Sequence, residues 1–81
     1  MEKRYRLKRF WNTQLAEYQY CIQEKQTTYN HGFFDEWVTI GSGNSKWAKA
    51  NIDHFLSKLD IVGEEMDFDM LEYFYTTQHN Y

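Results

Sequence analysis

The chain has no proline and a single cysteine, Cys21, among its 81 residues. One cysteine excludes an intramolecular disulfide, and neither a signal-peptide pattern nor a long apolar run is present. The sequence therefore predicts a soluble, cytoplasmic protein with no membrane partner. Low-complexity linkers and internal repeats are also missing, so one domain spans 1–81. Its three histidines, His31, His54 and His79, form no i,i+4 pair and no Cys/His spacing that would suggest zinc. No Ser/His/Asp arrangement or nucleophile elbow can be discerned, and a chain this short has difficulty enclosing a catalytic pocket. The expectation is no enzyme, no metal and no cofactor, with Cys21 a small packing residue inside a strand.

What the chain has in abundance is aromatic rings: seven Tyr, six Phe and three Trp, 20% of all residues. Large rings compensate for the thin core of a small domain, which buries only about 60–65% of its unfolded surface. Sixteen rings exceed what such a core holds, so several must lie at the surface, where Tyr and Trp favour binding hot spots. Charge is just as uneven. Residues 1–11 carry Lys3, Arg4, Arg6, Lys8 and Arg9 against Glu2 alone, whereas residues 60–81 carry Asp60, Glu64, Glu65, Asp67, Asp69 and Glu72 with no Lys or Arg. Either the two ends attract one another in the fold, or each offers its own patch to a partner.

The strongest local pattern runs from Trp37 to Leu59. Trp37-Val38-Thr39-Ile40 suits a half-buried strand, and Gly41-Ser42-Gly43 is expected to end it and turn the backbone. Asn44 and Ser45 offer side-chain oxygens to the first turn of a helix. Ala48, Ile52, Phe55, Leu56 and Leu59 then line one helical face. The Gly-Ser-Gly-Asn-Ser-Lys segment also resembles an anion nest. It lacks the Walker A spacing, and 81 residues leave no room for a βαβ nucleotide domain, so a turn and helix cap is the better reading.

Before this stretch, Arg4–Trp11 reads as a strand in which Tyr5 and Leu7 alternate with Arg4, Arg6 and Lys8 until Phe10 and Trp11 break the pattern. Glu17–Lys25 alternates Tyr18, Tyr20 and Ile22 with Glu17, Gln19, Cys21 and Gln23, and the two strands are joined by a loop at 12–16. Residues 26–32 read as a turn, and Phe33–Ile40 as the third strand with part-apolar sides. Phe33 and Trp37 are then either covered or presented to a partner. After the central helix, Met66, Met70, Tyr73 and Phe74 have helical spacing, although Met66, Phe68 and Met70 also alternate as in a strand. A short second helix over about 67–75, capped by Asp67, is preferred. The predicted fold is α+β: a three-stranded antiparallel meander packed on one helix (4–59), followed by an acidic, aromatic-rich segment (60–81) with a second helix.

Strands such as Tyr5-Arg6-Leu7-Lys8, Tyr18-Gln19-Tyr20-Cys21-Ile22 and Trp37-Val38-Thr39-Ile40, followed by a helix with the A-x-x-x-I-x-x-F pattern of Ala48, Ile52 and Phe55, resemble small accessory proteins of phages and mobile elements. The resemblance spans about residues 4–59 and lies at the level of the fold. It implies a viral protein that works inside an infected bacterium by binding and disabling a host protein, defence nucleases included.

Two binding sites follow as expectations. The first is an acidic and aromatic patch of Glu64, Glu65, Asp67, Asp69, Glu72, Tyr73 and Tyr75, docking on a basic surface of a host protein and acting as an inhibitor by surface contact. The Asp67-x-Asp69-x-x-Glu72 cluster lacks the glycine of an EF-hand loop and reads as a solvated acidic face. The alternative is nucleic-acid binding by Arg4, Arg6, Lys8 and Arg9 with exposed rings, through phosphate neutralisation and stacking. The net charge of −3 opposes it. A homodimer joined by edge strands or exposed rings is compatible with both.

Overall fold

In the computed structural model, residues 4–29, 32–55 and 58–79 are described. Strand β1 (Tyr5–Asn12) and strand β2 (Glu17–Tyr29) form an antiparallel hairpin in which Leu7 faces Ile22 and Asn12 faces Glu17. Asn12 closes the turn, its Oδ1 accepting the backbone N–H groups of Gln14 and Leu15, both at 3.0 Å. An Asn side chain mimics a backbone turn in this way. Ala16 completes the turn in the left-handed region at φ 52°.

β2 continues to Tyr29, past the turn expected at 26–32, and pairs antiparallel with β3 (Phe33–Gly43). Asn30 and His31 lie outside the described residues. β1 begins at Tyr5, opposite Glu24, so among the described residues the far half of the β2–β3 hairpin projects as a two-stranded ribbon.

The glycine stretch differs from expectation. The strand does not end at Ile40: it runs through Gly41-Ser42-Gly43, which pair with Ile22, Cys21 and Tyr20. A register shift leaves Ile40 as the extra residue of a bulge. Neither Gly41 nor Gly43 has a positive φ; among the described glycines Gly32 alone does, at 141°. Close approach is what demands glycine here. A Cβ on Gly43 would lie 2.5 Å from Cγ of Trp47, so the indole packs directly on bare backbone.

Helix α1 (Ser45–Phe55) begins as predicted at Asn44, whose Oδ1 accepts the N–H of Trp47 at 3.0 Å. Ala48 and Ile52 are buried, and the ring of Phe55 lies 4.6 Å from that of Tyr5. Leu56 lies outside the described residues. Leu59 is not on the helix: it opens β4 (Leu59–Ile61), which lies parallel to β1 at the far edge. The three-stranded meander is therefore corrected to a four-stranded mixed sheet of order β3-β2-β1-β4, with α1 crossing from one edge to the other. Three residues are too few to show a strand period, and Leu59 matches the helical spacing by coincidence.

A 3-10 turn (Gly63–Glu65) leads to α2 (Phe68–His79), which confirms the second helix and extends it beyond residue 75. The fold is α+β, a mixed four-stranded sheet with two helices on one face. Leu7, Ile22, Ile52 and Met70 are its largest fully buried side chains, and Tyr20, Ala48, Leu59, Met66 and Phe74 complete the core. Truncating Ile52 to Ala is expected to cost about 2–5 kcal/mol, measured by denaturant unfolding. Gly43→Ala should cost about 1–3 kcal/mol through overpacking against Trp47; a stability equal to wild type would show that the indole moves freely.

Candidate functional site

The pleat divides the charged residues between two surfaces. Arg6, Lys8 and Phe10 alternate with Leu7 and Arg9 along β1, so they project from the face opposite the helices. There the Arg6 guanidinium lies 4.4 Å above the Trp37 ring while its Nε donates to Gln23 Oε1 at 2.7 Å. Lys8 reaches Glu65 at 3.8 Å, Arg4 reaches Asp60 at 3.4 Å and Lys25 reaches Asp35 at 3.6 Å. The Asp35 carboxyl is held below its ordinary pKa by the Thr27 hydroxyl and then by Lys25. Phe10, Cys21, Gln23, Thr39 and Ser42 line a depression of about 310 Å³ beside Lys8. Cys21 is buried at its floor, and burial pushes its thiol pKa up, away from the reactive thiolate.

Arg9 separates from the other three cations. It points to the helix side, with its guanidinium 4.0 Å over the Tyr18 ring, beside the phenol of Tyr20. The predicted basic set is thus not one patch: Arg4, Arg6 and Lys8 share a face that Arg9 does not.

The acidic set is also divided. Glu64 and Glu65 sit on the 3-10 turn, where Glu65 leans towards Lys8. Asp67 precedes α2, and its Oδ1 accepts the Tyr20 hydroxyl at 2.8 Å. Burial first, then this bond, push the Tyr20 pKa up to about 12. Tyr73 is half-buried between the helices, its hydroxyl donating to the Asp53 carboxylate at 2.8 Å and its ring 5.4 Å from the Lys49 ammonium. That hydrogen bond raises the Tyr73 pKa. Asp67 and Tyr73 are therefore structural clasps, whereas Asp69, Glu72 and Tyr75 are exposed.

Those three belong to one arc of α2. Phe68, Glu72 and Tyr75 recur at helical spacing, with Asp69 and Thr76 beside them, while Met70 and Phe74 on the opposite arc enter the core. Phe68 is 78% exposed and Tyr75 54%. Asp69 and Glu72 form no ion pair among the described residues. Next to the arc, Lys49, Asp69, Glu72, Tyr73 and Thr76 line a groove of about 370 Å³ between α1 and α2. Sequence reasoning missed Phe68, Lys49 and Thr76. Phe68 was accessible to it, because once 67–75 is read as a helix, residues 68, 72 and 75 must share a face. Lys49 comes from another helix, and only the packing of α1 on α2 brings it there.

No group of three or more His, Cys, Asp or Glu side chains that would hold a metal ion is found among the described residues. His54 is exposed, with its ring 5.3 Å from that of Phe55; His31 and the side chain of His79 lie outside the described residues. Among the described residues no helix is long and apolar enough to cross a membrane. The chain matches no protein-family model, no curated protein and no solved structure.

The Tyr20–Asp67 clasp predicts a pH dependence. The folded-state pKa of about 12 stands above the ordinary 10.0, so the folded form holds its proton more tightly than the unfolded form. This contribution is complete below pH 10 and is lost as pH rises towards 12. Denaturant midpoints should fall over that window, and Tyr20→Phe should flatten the fall. An unchanged slope in the variant would remove Tyr20 as its source.

Proposed function

We propose that the protein is a binding module that docks on a basic surface of another protein through the outer arc of α2. The observation carrying this reading is the pair of exposed rings, Phe68 and Tyr75, flanking Asp69 and Glu72 on a helix whose other arc is held in the core. Rings supply contact area with little loss of side-chain freedom, and the carboxylates beside them favour cationic partners and speed encounter. Tyr73 and Asp67 support the arc, Glu64 and Glu65 lie on the preceding 3-10 turn outside it, and Phe68 and Tyr75 are the anchors. That the partner is a host protein disabled by a phage-type inhibitor rests on the fold-level resemblance of residues 4–59 alone.

The nucleic-acid reading draws less support. Phosphate tracking needs several cations free to release counterions, and Arg4, Lys8 and Lys25 each face a carboxylate while Arg9 points away. Exposed ion pairs are weak, so a strongly anionic ligand would still compete for them.

The test is affinity capture from nuclease-treated bacterial lysate by wild type, by Phe68→Ala, by Glu72→Lys and by Arg6→Gln/Lys8→Gln. One dominant protein should be retained by wild type and by the arginine/lysine variant. Phe68→Ala and Glu72→Lys should weaken its binding by about tenfold or more with unchanged circular dichroism. Retention that vanishes with nuclease, or that depends on Arg6 and Lys8 instead, would overturn the proposal.

A further inference from the structure

The sheet has two edges of unequal character. At one, β4 is only three residues long. At the other, β3 carries eleven residues without proline or lysine, and its blunting is confined to Asp35, Glu36 and the bulge at Ile40. Its outward groups can be assigned from the ladder. The N–H of Lys25 donates to Arg4 O at 3.0 Å, so Lys25 directs its backbone towards β1. In an antiparallel ladder each residue turns its N–H and C=O to the same side, and facing pairs alternate between bonded and non-bonded. Trp37, which faces Lys25, is then in a non-bonded pair and directs both groups to the open edge. Phe33, Asp35 and Thr39 do the same, until the bulge at Ile40 breaks the alternation.

From this edge we infer that the protein forms a two-fold symmetric dimer in which β3 pairs antiparallel with β3 of a second copy, with Trp37 on the axis. The side chains select both the occupant and the register. In an antiparallel two-fold pair, residues equidistant from the axis face each other on the same side of the sheet. An axis at Asp35 or at Glu36 sets like carboxylates directly opposite, which is destabilising. An axis at Val38 drives Glu36 against the bulge at Ile40. With Trp37 on the axis, Asp35 meets Thr39 of the second copy and Glu36 meets its Val38, which leaves the two Glu36 carboxylates diagonal and not directly opposite, and the outward groups at 35, 37 and 39 close about six backbone hydrogen bonds. Phe33 and Phe34, 80% and 45% exposed, and Ile40, 47% exposed, supply apolar cover at the ends of the joint. Two thin sheets, each in a body 20 Å through its shortest axis, become one sheet of eight strands. The dimer is independent of the α2 reading, since the two surfaces share no residue.

Light scattering coupled to size exclusion should give twice the 10.0 kDa chain mass, falling to the monomer on dilution. Trp37→Pro and Thr39→Pro remove outward N–H groups that β2 does not use, so both variants should keep the wild-type circular dichroism and run at half the wild-type mass. Proline is tolerated on an edge strand for this reason. On the wild-type protein, the amides of Asp35, Trp37 and Thr39 should exchange with solvent more slowly in concentrated than in dilute solution. A wild-type mass of one chain at every concentration would overturn the inference. So would a folded proline variant that remains dimeric, or exchange at those three amides that ignores concentration.

Discussion

Leu7 lies at the middle of the sheet, between Ile22 on β2 and Ile61 on β4, under Ile52 and Met70 from the two helices. Leu7, Ile22, Ile52 and Met70 are the largest fully buried side chains, and they come from four different elements. Each is worth roughly 1.5–3 kcal/mol when removed from water, so no element can leave without exposing a neighbour's share. This small common core covers one face of the sheet only. Among the described residues no element covers the other face, or the projecting half of the β2–β3 hairpin. The exposed rings at 29, 33 and 34 follow from that shortage.

The opposed charges of the two chain ends meet in part. Arg4 reaches Asp60 and Lys8 reaches Glu65 because β4 lies parallel to β1, with Arg6 beside Asp60. Exposed pairs of this kind contribute about 0–1 kcal/mol. They are better viewed as favouring the parallel placement of β4 than as holding the domain together. The basic strand spends its charge on the open face and the 3-10 turn. Asp69 and Glu72, further along, receive none of it.

Much of this was legible from residue patterns. Alternation at Tyr18, Tyr20 and Ile22 marks β2, and Ala48, Ile52 and Phe55 mark α1 together with its Asn44 cap, because both periods are long enough to be seen. β4 was not legible: Leu59-Asp60-Ile61 has one alternation, and its stability comes from β1 beside it. Gly41 and Gly43 were misread for a related reason. Glycine signals either a positive φ or a close approach, and only Trp47 lying on the backbone tells which. For the acidic segment, composition located the charge, but the division into clasp and surface depends on partners distant in sequence. Asp67 is held by Tyr20 and Tyr73 by Asp53, which leaves the arc of Phe68, Asp69, Glu72 and Tyr75 facing outward.

That division bears on which surface can recognise a partner. A side chain already engaged at home must give up its contact before it makes another, and that loss is subtracted from any affinity gained. On the sheet face, Arg6 would leave Trp37 and Gln23, and Lys8 and Arg4 would leave their carboxylates. On α2, Phe68 brings apolar area that water covers, and Tyr75 rests edge-on against Phe74, 5.5 Å between ring centres, with its outer face exposed, on a helix fixed in place by Met70 and Phe74. A rigid support whose anchors keep their existing contacts while their outer faces bind forfeits the least. That criterion supports the proposed use of the outer arc of α2 over the more cationic strand β1.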